Sequence, residues 1–358
     1  MKIAILGGGI NGVMTAWELC KAGHDVTLFE KNKLMQATSS SSTKLLHGGL
    51  RYLENYEFGL IKEALKDRAW WIKKVPELAH PIKIFIPIYK QSRRSAWLYR
   101  LGLFLYDFIA GKEKLGAYKK YNKKDFQKIC PELKTHDLLS GFSFFDGQMD
   151  DYNLGMWAAE QLKKFNKFKL NENTLINRVS ENGLIYYKNT QEKFDKVINI
   201  TGPWAGQLLK DSNINLEFKL DLVRGSHIII DKKIDNGYFL EVPKERRIFF
   251  TLPYKRQTLI GTTEIRQTLF EKVEPSKSEI SYLIHAYNNY FVEQISKKNI
   301  VKVFSGLRLL VKSSENPNKA TRENGIQFNK NLISVFGGKW TTARQLAIKI
   351  SKLDVLKK

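Results

Sequence analysis

The chain has 358 residues, 43% of them apolar, and a formal net charge of +23. That length buries one large core or two smaller ones and suits a cofactor domain with a second domain inserted in it. The two cysteines, Cys20 and Cys130, lie far apart without metal-ligand spacing, so neither a disulfide framework nor a metal site is expected. Only 14 of the 59 basic residues are arginine, and a lysine excess spread along a chain more often marks a solvated surface than a binding site. Charge alone leaves an anionic membrane surface or nucleic acid open as a partner.

In chain order, residues 2–6 (Lys-Ile-Ala-Ile-Leu) read as a short buried strand, which leaves no room for a signal peptide and points to the reducing cytoplasm. Gly7-Gly8-Gly9-Ile10-Asn11-Gly12 follows as G-x-G-x-x-G. Ile10, Val13, Met14, Trp17 and Cys20 then share one face of a helix that Gly23 stops. Residues 25–29 supply the next strand, ending at Glu30. Strand, glycine turn, helix and strand together make the dinucleotide-binding fingerprint. In it Gly7 permits the tight turn, Gly9 lets a pyrophosphate reach the backbone, and Gly12 lets helix and strand pack closely. The helix amino terminus directs N–H groups at the phosphates, and Glu30, 18 residues past Gly12, is placed for the adenosine ribose. The pattern does not choose between NAD and FAD.

Residues 38–43 (Thr-Ser-Ser-Ser-Ser-Thr) read equally as a flexible linker or as hydroxyl-rich backbone lining a cofactor. Just beyond, His47, Gly48, Gly49, Arg51 and Tyr52 let backbone approach a flat ring while cationic and proton-transferring side chains reach a small anion. Over residues 93–110, Arg93, Arg100 and Asp107 form a narrow polar stripe opposite Trp97, Leu98, Leu101, Phe104, Leu105, Phe108 and Ile109. Charge inside this stretch argues against a bilayer span. An interfacial helix on anionic lipid and a core helix of the second domain are its two readings. A helix at about 152–165 and strand-like pieces at 173–179 and 184–188 precede a strand at 196–200 that ends in Thr201-Gly202-Pro203-Trp204. Arg224-Gly225-Ser226-His227 opens another strand, and residues 248–252 and 258–261 form a hairpin running into Thr262. Arg51, Arg224 and Arg308, each in a glycine-containing segment, are the arginines to weigh as ligands. An apolar strand at 331–336 leads through Gly337-Gly338-Lys339-Trp340-Thr341-Thr342 into a helix ending near residue 353. Its hydroxyl-capped positive end, with Lys339, would stabilise negative charge on a reduced flavin.

GGGING at 7–12, TSSSSTKLLHGGLRYLE at 38–54, NITGPW at 199–204 and FGGKWTT at 336–342 occur in the order seen in FAD-dependent glycerol-3-phosphate dehydrogenases. The chain resembles that family over residues 1–342 or so. The resemblance implies FAD in a doubly wound, Rossmann-like α/β domain (1–75, 145–215 and 301–358). Into it an α+β substrate domain on a mixed or antiparallel sheet is inserted (76–144 and 216–300). The cofactor set it implies is Gly7, Gly9, Ile10, Asn11, Gly12, Glu30, Lys31, Thr38, Ser42, Thr43, His47, Gly48, Gly49, Val179, Thr201, Gly202, Trp204, Gly338, Lys339, Trp340 and Thr341. Arg51, Arg308 and Arg322 would hold the substrate phosphate or its neighbouring hydroxyl, as forked cationic donors suit an oxyanion. Tyr52 and Lys339 would orient or polarise the oxygen, with Thr262 in the wall. His47 or His227 would take the hydroxyl proton, and the residues leave open which.

The implied activity is oxidation of sn-glycerol 3-phosphate to dihydroxyacetone phosphate, with hydride passing from C2 to flavin N5. Electrons go on to a membrane quinone or another acceptor such as oxygen. The implied location is the cytoplasm, peripheral on the inner face of the cell membrane. Leu309 follows Arg308 where the family usually has proline. The chain also stops nineteen residues after Lys339, as expected of a short form without the carboxyl-terminal helical domain. Other readings are an enzyme of this fold acting on a 2-hydroxy acid or amino acid, an RNA-binding flavoprotein, and a non-catalytic FAD-binding protein. No clustered basic–aromatic segment outside 93–110 supports nucleic acid as a partner.

Overall fold

The computed structural model describes residues 1–243, 245, 247–311 and 324–357, and of Arg51 the main chain alone. Lys2–Leu6 and Asp25–Phe29 are short apolar strands, each buried beyond its first residue, as parallel strands covered on both faces must be. Their sheet has the order Gly325–Asn329, Leu332–Phe336, Lys196–Asn199, Lys2–Leu6, Asp25–Phe29, Phe168–Asn171, antiparallel only at the first pair. Leu6 stands opposite both Phe29 and Asn199, and Asn199 opposite Ser334, so the carboxyl ends line one edge. Chain direction through the sheet reverses at Lys2–Leu6, and the crevice beyond that edge is where such sheets bind ligands. Helices Ile10–Lys21, Asp151–Leu162 and Ala343–Ser351 cover one face, burying Val13, Leu19, Leu154, Leu162, Leu346 and Ile350 against Ile3, Ile5 and Val26.

The second sheet is mixed. Its order is Ile265–Arg266, Leu220–Ile230, Gln257–Gly261, Ile248–Tyr254, Gly237–Glu241, Ala79–Tyr89, Leu138–Met149, Leu45–Leu46. All neighbours are antiparallel except Gly237–Glu241 beside Ala79–Tyr89. The architecture is therefore the expected α/β cofactor fold with a mixed-sheet insertion. The boundaries differ at two strands. Ile300–Val311, which the sequence division groups with the cofactor unit, pairs along its length with Leu220–Ile230, and Leu45–Leu46 pairs with Leu138–Met149. Pairing partners so distant in sequence leave no local mark. Residues 178–179, 184–187 and 190–193 form a separate small sheet, and Phe168–Asn171 is an edge strand that the apolar pattern does not announce.

Helix Ala96–Ala110 buries Tyr99, Leu103, Tyr106 and Ala110 at three- and four-residue steps. Most of the apolar face is in solvent, with Trp97 69% exposed, Phe104 54% and Phe108 75%, so the core-helix reading does not hold for it. Asp107 is tied to Lys114 and to the Tyr118 N–H, so it is not part of an open polar stripe. No helix among the described residues is long and apolar enough to cross a membrane. Both cysteines are free and buried.

Candidate active site

A cleft of about 710 Å³ runs along the carboxyl edge of the first sheet and under the second. Gly7, Gly9, Ile10, Asn11, Glu30, Lys31, Thr201, Gly202 and Trp204 line its dinucleotide part. Gly7 has φ +116°, and a Cβ on Gly12 would stand 1.9 Å from the Gly7 carbonyl oxygen, so this turn and its helix close only with glycine at both places. Gly12 packs behind the wall. Glu30 accepts from the Gly8 and Asn32 N–H groups at 2.7 and 2.9 Å, which fixes its carboxylate at the cleft edge. Lys31 lies 3.6 Å over the Trp204 ring, and burial lowers its ammonium pKa. Val179 is core, its N–H bonded to Ser212, and Thr174, Leu175 and Ile176 form the wall at that end.

The serine-rich stretch is a bonded loop. Ser39 Oγ accepts the Ile10 N–H at 3.0 Å, and its carbonyl accepts from Trp340 Nε1 at 2.9 Å. Thr38 donates to the Leu307 carbonyl at 2.6 Å, Ser42 to Asp151 at 2.7 Å, and Thr43 Oγ1 meets His227 Nε2 at 2.9 Å. Thr38, Ser42 and Thr43 line the cleft, as do Gly338, Lys339, Trp340 and Thr341. The residues fit a dinucleotide. Asn11 Oδ1 is buried with no partner among the described residues, and the space where a Cβ on Gly202 would stand is open.

At the other end of the cleft stand His47, Tyr52, His227, Thr262, Arg308 and Lys339. Lys339 Nζ sits 4.0 Å over the Tyr52 ring, whose centroid is 5.9 Å from that of His47. His227 stacks on Phe304 at 4.8 Å. Burial above all, with repulsion from Lys44 and Arg308, lowers its imidazole to about 3, so it is neutral at working pH. Arg308 lies 3.5 Å from Glu264, which also faces Arg247 at 3.7 Å. The side chain of Arg51 and all of Arg322 lie outside the described residues. Besides Val179, three expectations shift. Gly48 does not line the cleft; a Cβ there would meet the Tyr106 hydroxyl at 2.1 Å, and its N–H bonds Asp146. Gly49 packs on Tyr52 in a left-handed turn at φ +82°. Arg224 is engaged by Glu279 and Gln267, both at 2.7 Å, and is not a wall residue. Burial works against ionisation of Glu279, but hydrogen bonds from Thr263, Ser276, Arg224 and Ser226 hold its carboxyl down at about 2.

Sequence reasoning missed the buried pairs behind this wall. Lys44 and Asp151, 8% and 1% exposed, meet at 2.6 Å. Arg68 Nη1 holds Asp146 at 3.0 Å, the carboxylate that takes the Gly48 N–H. Asp67 accepts the Gln345 N–H at 3.0 Å, so it, rather than a threonine hydroxyl, caps helix Ala343–Ser351. Only Asp146, directly after Phe144 and Phe145, carried a signal, a carboxylate in an apolar run; Lys44, Asp67 and Asp151 stand among polar residues. Among the described residues no cluster could hold a metal ion.

A parallel sheet edge cradling a dinucleotide, opening onto a basic pocket walled by two histidines, defines a dinucleotide-dependent oxidoreductase. The chain belongs to the FAD dependent oxidoreductase family, whose model matches residues 2–340, and FAD is its cofactor. It is 34% identical over 364 residues to the aerobic glycerol-3-phosphate dehydrogenase of Escherichia coli, covering 96% of this chain and 71% of that one. Against the D-erythritol 1-phosphate dehydrogenase of Brucella abortus it is 35% identical over 361 residues, with 96% and 71% covered. The glycerol-3-phosphate dehydrogenase of Bacillus halodurans complexed with FAD has a similar fold, with a TM-score of 0.77 at 20% identity over 98% of this chain and 63% of that one. The L-alpha-glycerophosphate oxidase of Mycoplasma pneumoniae with FAD bound gives 0.76 at 16%, with 100% and 94% covered.

Removing one partner of the Lys44–Asp151 pair strands a buried charge. Asp151→Ala is expected to lower stability by about 3–5 kcal/mol in chemical denaturation and to reduce FAD retained on purification. Loss of under about 1 kcal/mol, the range of surface pairs, would refute the importance given to this contact.

Proposed function

We propose that this chain oxidises sn-glycerol 3-phosphate to dihydroxyacetone phosphate and passes the electrons to a quinone or another acceptor. The observation that carries the reading is one cleft joining the dinucleotide cradle to a cationic, histidine-lined end at Arg308 and Lys339. Relatives named for phosphorylated polyols at 34% and 35% identity support the substrate class. Bound FAD supplies the hydride acceptor, N5, for the hydrogen leaving C2. Arg308, with Arg51 and Arg322, clamps the phosphate, and Lys339 and Thr262 hold the C2 oxygen. Loss of hydride and of the hydroxyl proton together leaves the ketone, so a base must stand at that oxygen. His227 is a weak base, desolvated and already bonded to Thr43. His47, half-buried beside Tyr52, is assigned the proton, and His227 serves as a neutral polar wall.

The exposed apolar row Trp97, Leu98, Leu101, Phe104 and Phe108, with Tyr56 and Phe58 also exposed, supports peripheral docking on an anionic membrane. That face would give access to a lipid-soluble acceptor.

Anaerobic addition of glycerol 3-phosphate should bleach the long-wavelength flavin band. Bleaching by D-erythritol 1-phosphate alone would move the substrate within the polyol phosphates, and bleaching only by an amino acid or a 2-hydroxy acid would overturn the reading. Arg308→Ala should raise KM about 10–100-fold, the cost of one charge-assisted hydrogen bond, at unchanged FAD content. The proton assignment predicts that His47→Gln lowers kcat by about 10²–10⁴-fold and removes the acid limb of the rate profile, whereas His227→Gln keeps that limb. The reverse pattern would exchange the two roles. For the membrane, Phe104→Glu with Phe108→Glu should abolish co-sedimentation with phosphatidylglycerol vesicles while activity with a soluble dye persists; undiminished binding would rule this face out.

A further inference from the structure

Helix Phe58–Lys74 carries two adjacent charged residues, Asp67 and Arg68, 0% and 1% exposed, that line neither the cleft nor the surface. Arg68 reaches the Gly48 N–H through Asp146. Asp67 reaches the other cofactor-facing motif. One carboxylate oxygen accepts the Gln345 N–H at 3.0 Å, and the other accepts from Gln345 Nε2 at 3.0 Å and Arg344 Nη1 at 3.3 Å. Gln345 lies four residues past Thr341, the last residue of that motif on the cleft wall, in the first turn of helix Ala343–Ser351. One turn along from Asp67, Trp71 packs at 5.4 Å on Trp340, which lines the cleft, so apolar rings rather than water adjoin this charge.

We propose that Asp67 is a positioning residue of the cofactor site: its buried carboxylate fixes the start of helix Ala343–Ser351 and offsets the positive helix end and Lys339, holding the bound flavin at a lower reduction potential than that loop alone would set. This rests on the reading that Gly338–Thr341 face the flavin. The sign follows from electrostatics. A helix amino terminus carries about half a positive charge, which the Asp67 carboxylate against its first turn opposes; Arg344 at 3.3 Å balances that carboxylate in turn, so losing the Asp67 charge leaves both positive groups uncompensated. Negative charge near the ring disfavours adding electrons to it. Burial lifts the Asp67 carboxyl to about 6, against hydrogen bonds from Gln345 and the nearby Arg344, so at pH 7.5 it is ionised.

The test is the midpoint potential of bound FAD at pH 7.5, by spectroelectrochemical titration of the holoenzyme. Asp67→Asn keeps the shape and one acceptor, enough for the Gln345 N–H, but loses the charge and turns an NH2 toward Gln345 Nε2 and Arg344. It should shift the potential upward by about 30 mV, the equivalent of a tenfold change for a two-electron couple. Asp67→Glu should stay at the wild-type value. Glu63→Gln, which removes only the partner of Lys349 near the far end of the helix, should also leave it in place. If Asp67→Asn does not fold, Arg344→Gln carries the test with the opposite sign, since it removes the cation facing Asp67. An unchanged potential in Asp67→Asn, or a downward shift, overturns the proposal. Failure of glycerol 3-phosphate to bleach the flavin would instead strike the proposed substrate and leave these potentials interpretable.

Discussion

The contact on which the site depends is the 2.6 Å pair between Lys44 and Asp151. Burying two charges is costly and breaking such a pair costs more, so once formed it has few alternatives. Lys44 also donates to the Ser40 carbonyl at 2.8 Å, and Asp151 accepts from the Ser42 N–H and hydroxyl, so groups of Ser40, Ser42 and Lys44 converge on one desolvated point. The rest of the loop is then distributed outward. Ser39 serves the first helix and Trp340, Thr38 serves the strand of Arg308, and Thr43 serves His227. The dinucleotide cradle lies on the first sheet and most of the histidine-lined end on the second, and this segment bonds to both.

What was legible in the sequence is what short-range physics writes there. The first strand, the glycine turn, its helix and the strand ending at Glu30 all lie within residues 1–30, and each step follows from apolar spacing or backbone sterics. The remaining motifs could be placed on one edge because parallel strands align their carboxyl ends. The supports were illegible for the opposite reason. Asp67 and Gln345 are 278 residues apart, Lys44 and Asp151 are 107 apart, and no propensity reaches that far. Composition misleads where chemistry is shared: a hydroxyl in a solvated linker and one bonded to Asp151 are the same letter. Gly48 shows the converse, a glycine whose smallness answers to Tyr106 behind the strand and not to a ring in front of it.

Charge is distributed by a similar logic. Many lysines of the +23 chain lie exposed in pairs such as Lys163–Glu160 and Lys272–Glu274, which contribute little and say nothing about a ligand. The cations that matter are those whose burial forces a role. Lys44 is held by a carboxylate, Lys339 by an aromatic face, and Arg308 is balanced by Glu264 rather than left as a bare charge.

Two arginines in glycine-containing strands looked equivalent in sequence, and register separates them. In the antiparallel pairing Val223 stands opposite Arg308, Gly225 opposite Gly306 and His227 opposite Phe304. Side chains alternate along a strand, so those positions share one face, and the cleft takes Gly225, His227, Gly306 and Arg308 from it. Arg224 and Ser226 belong to the other face, and both bond Glu279 of helix Lys277–Tyr290. A slip of one residue would exchange the faces, turning Arg224 into the cleft and His227 into the helix. The Arg224–Glu279 pair on the hidden face, at 2.7 Å, opposes that slip. It thereby keeps Arg308 and His227 on the cleft side, and so the arginine turned away from the cleft decides which one faces it.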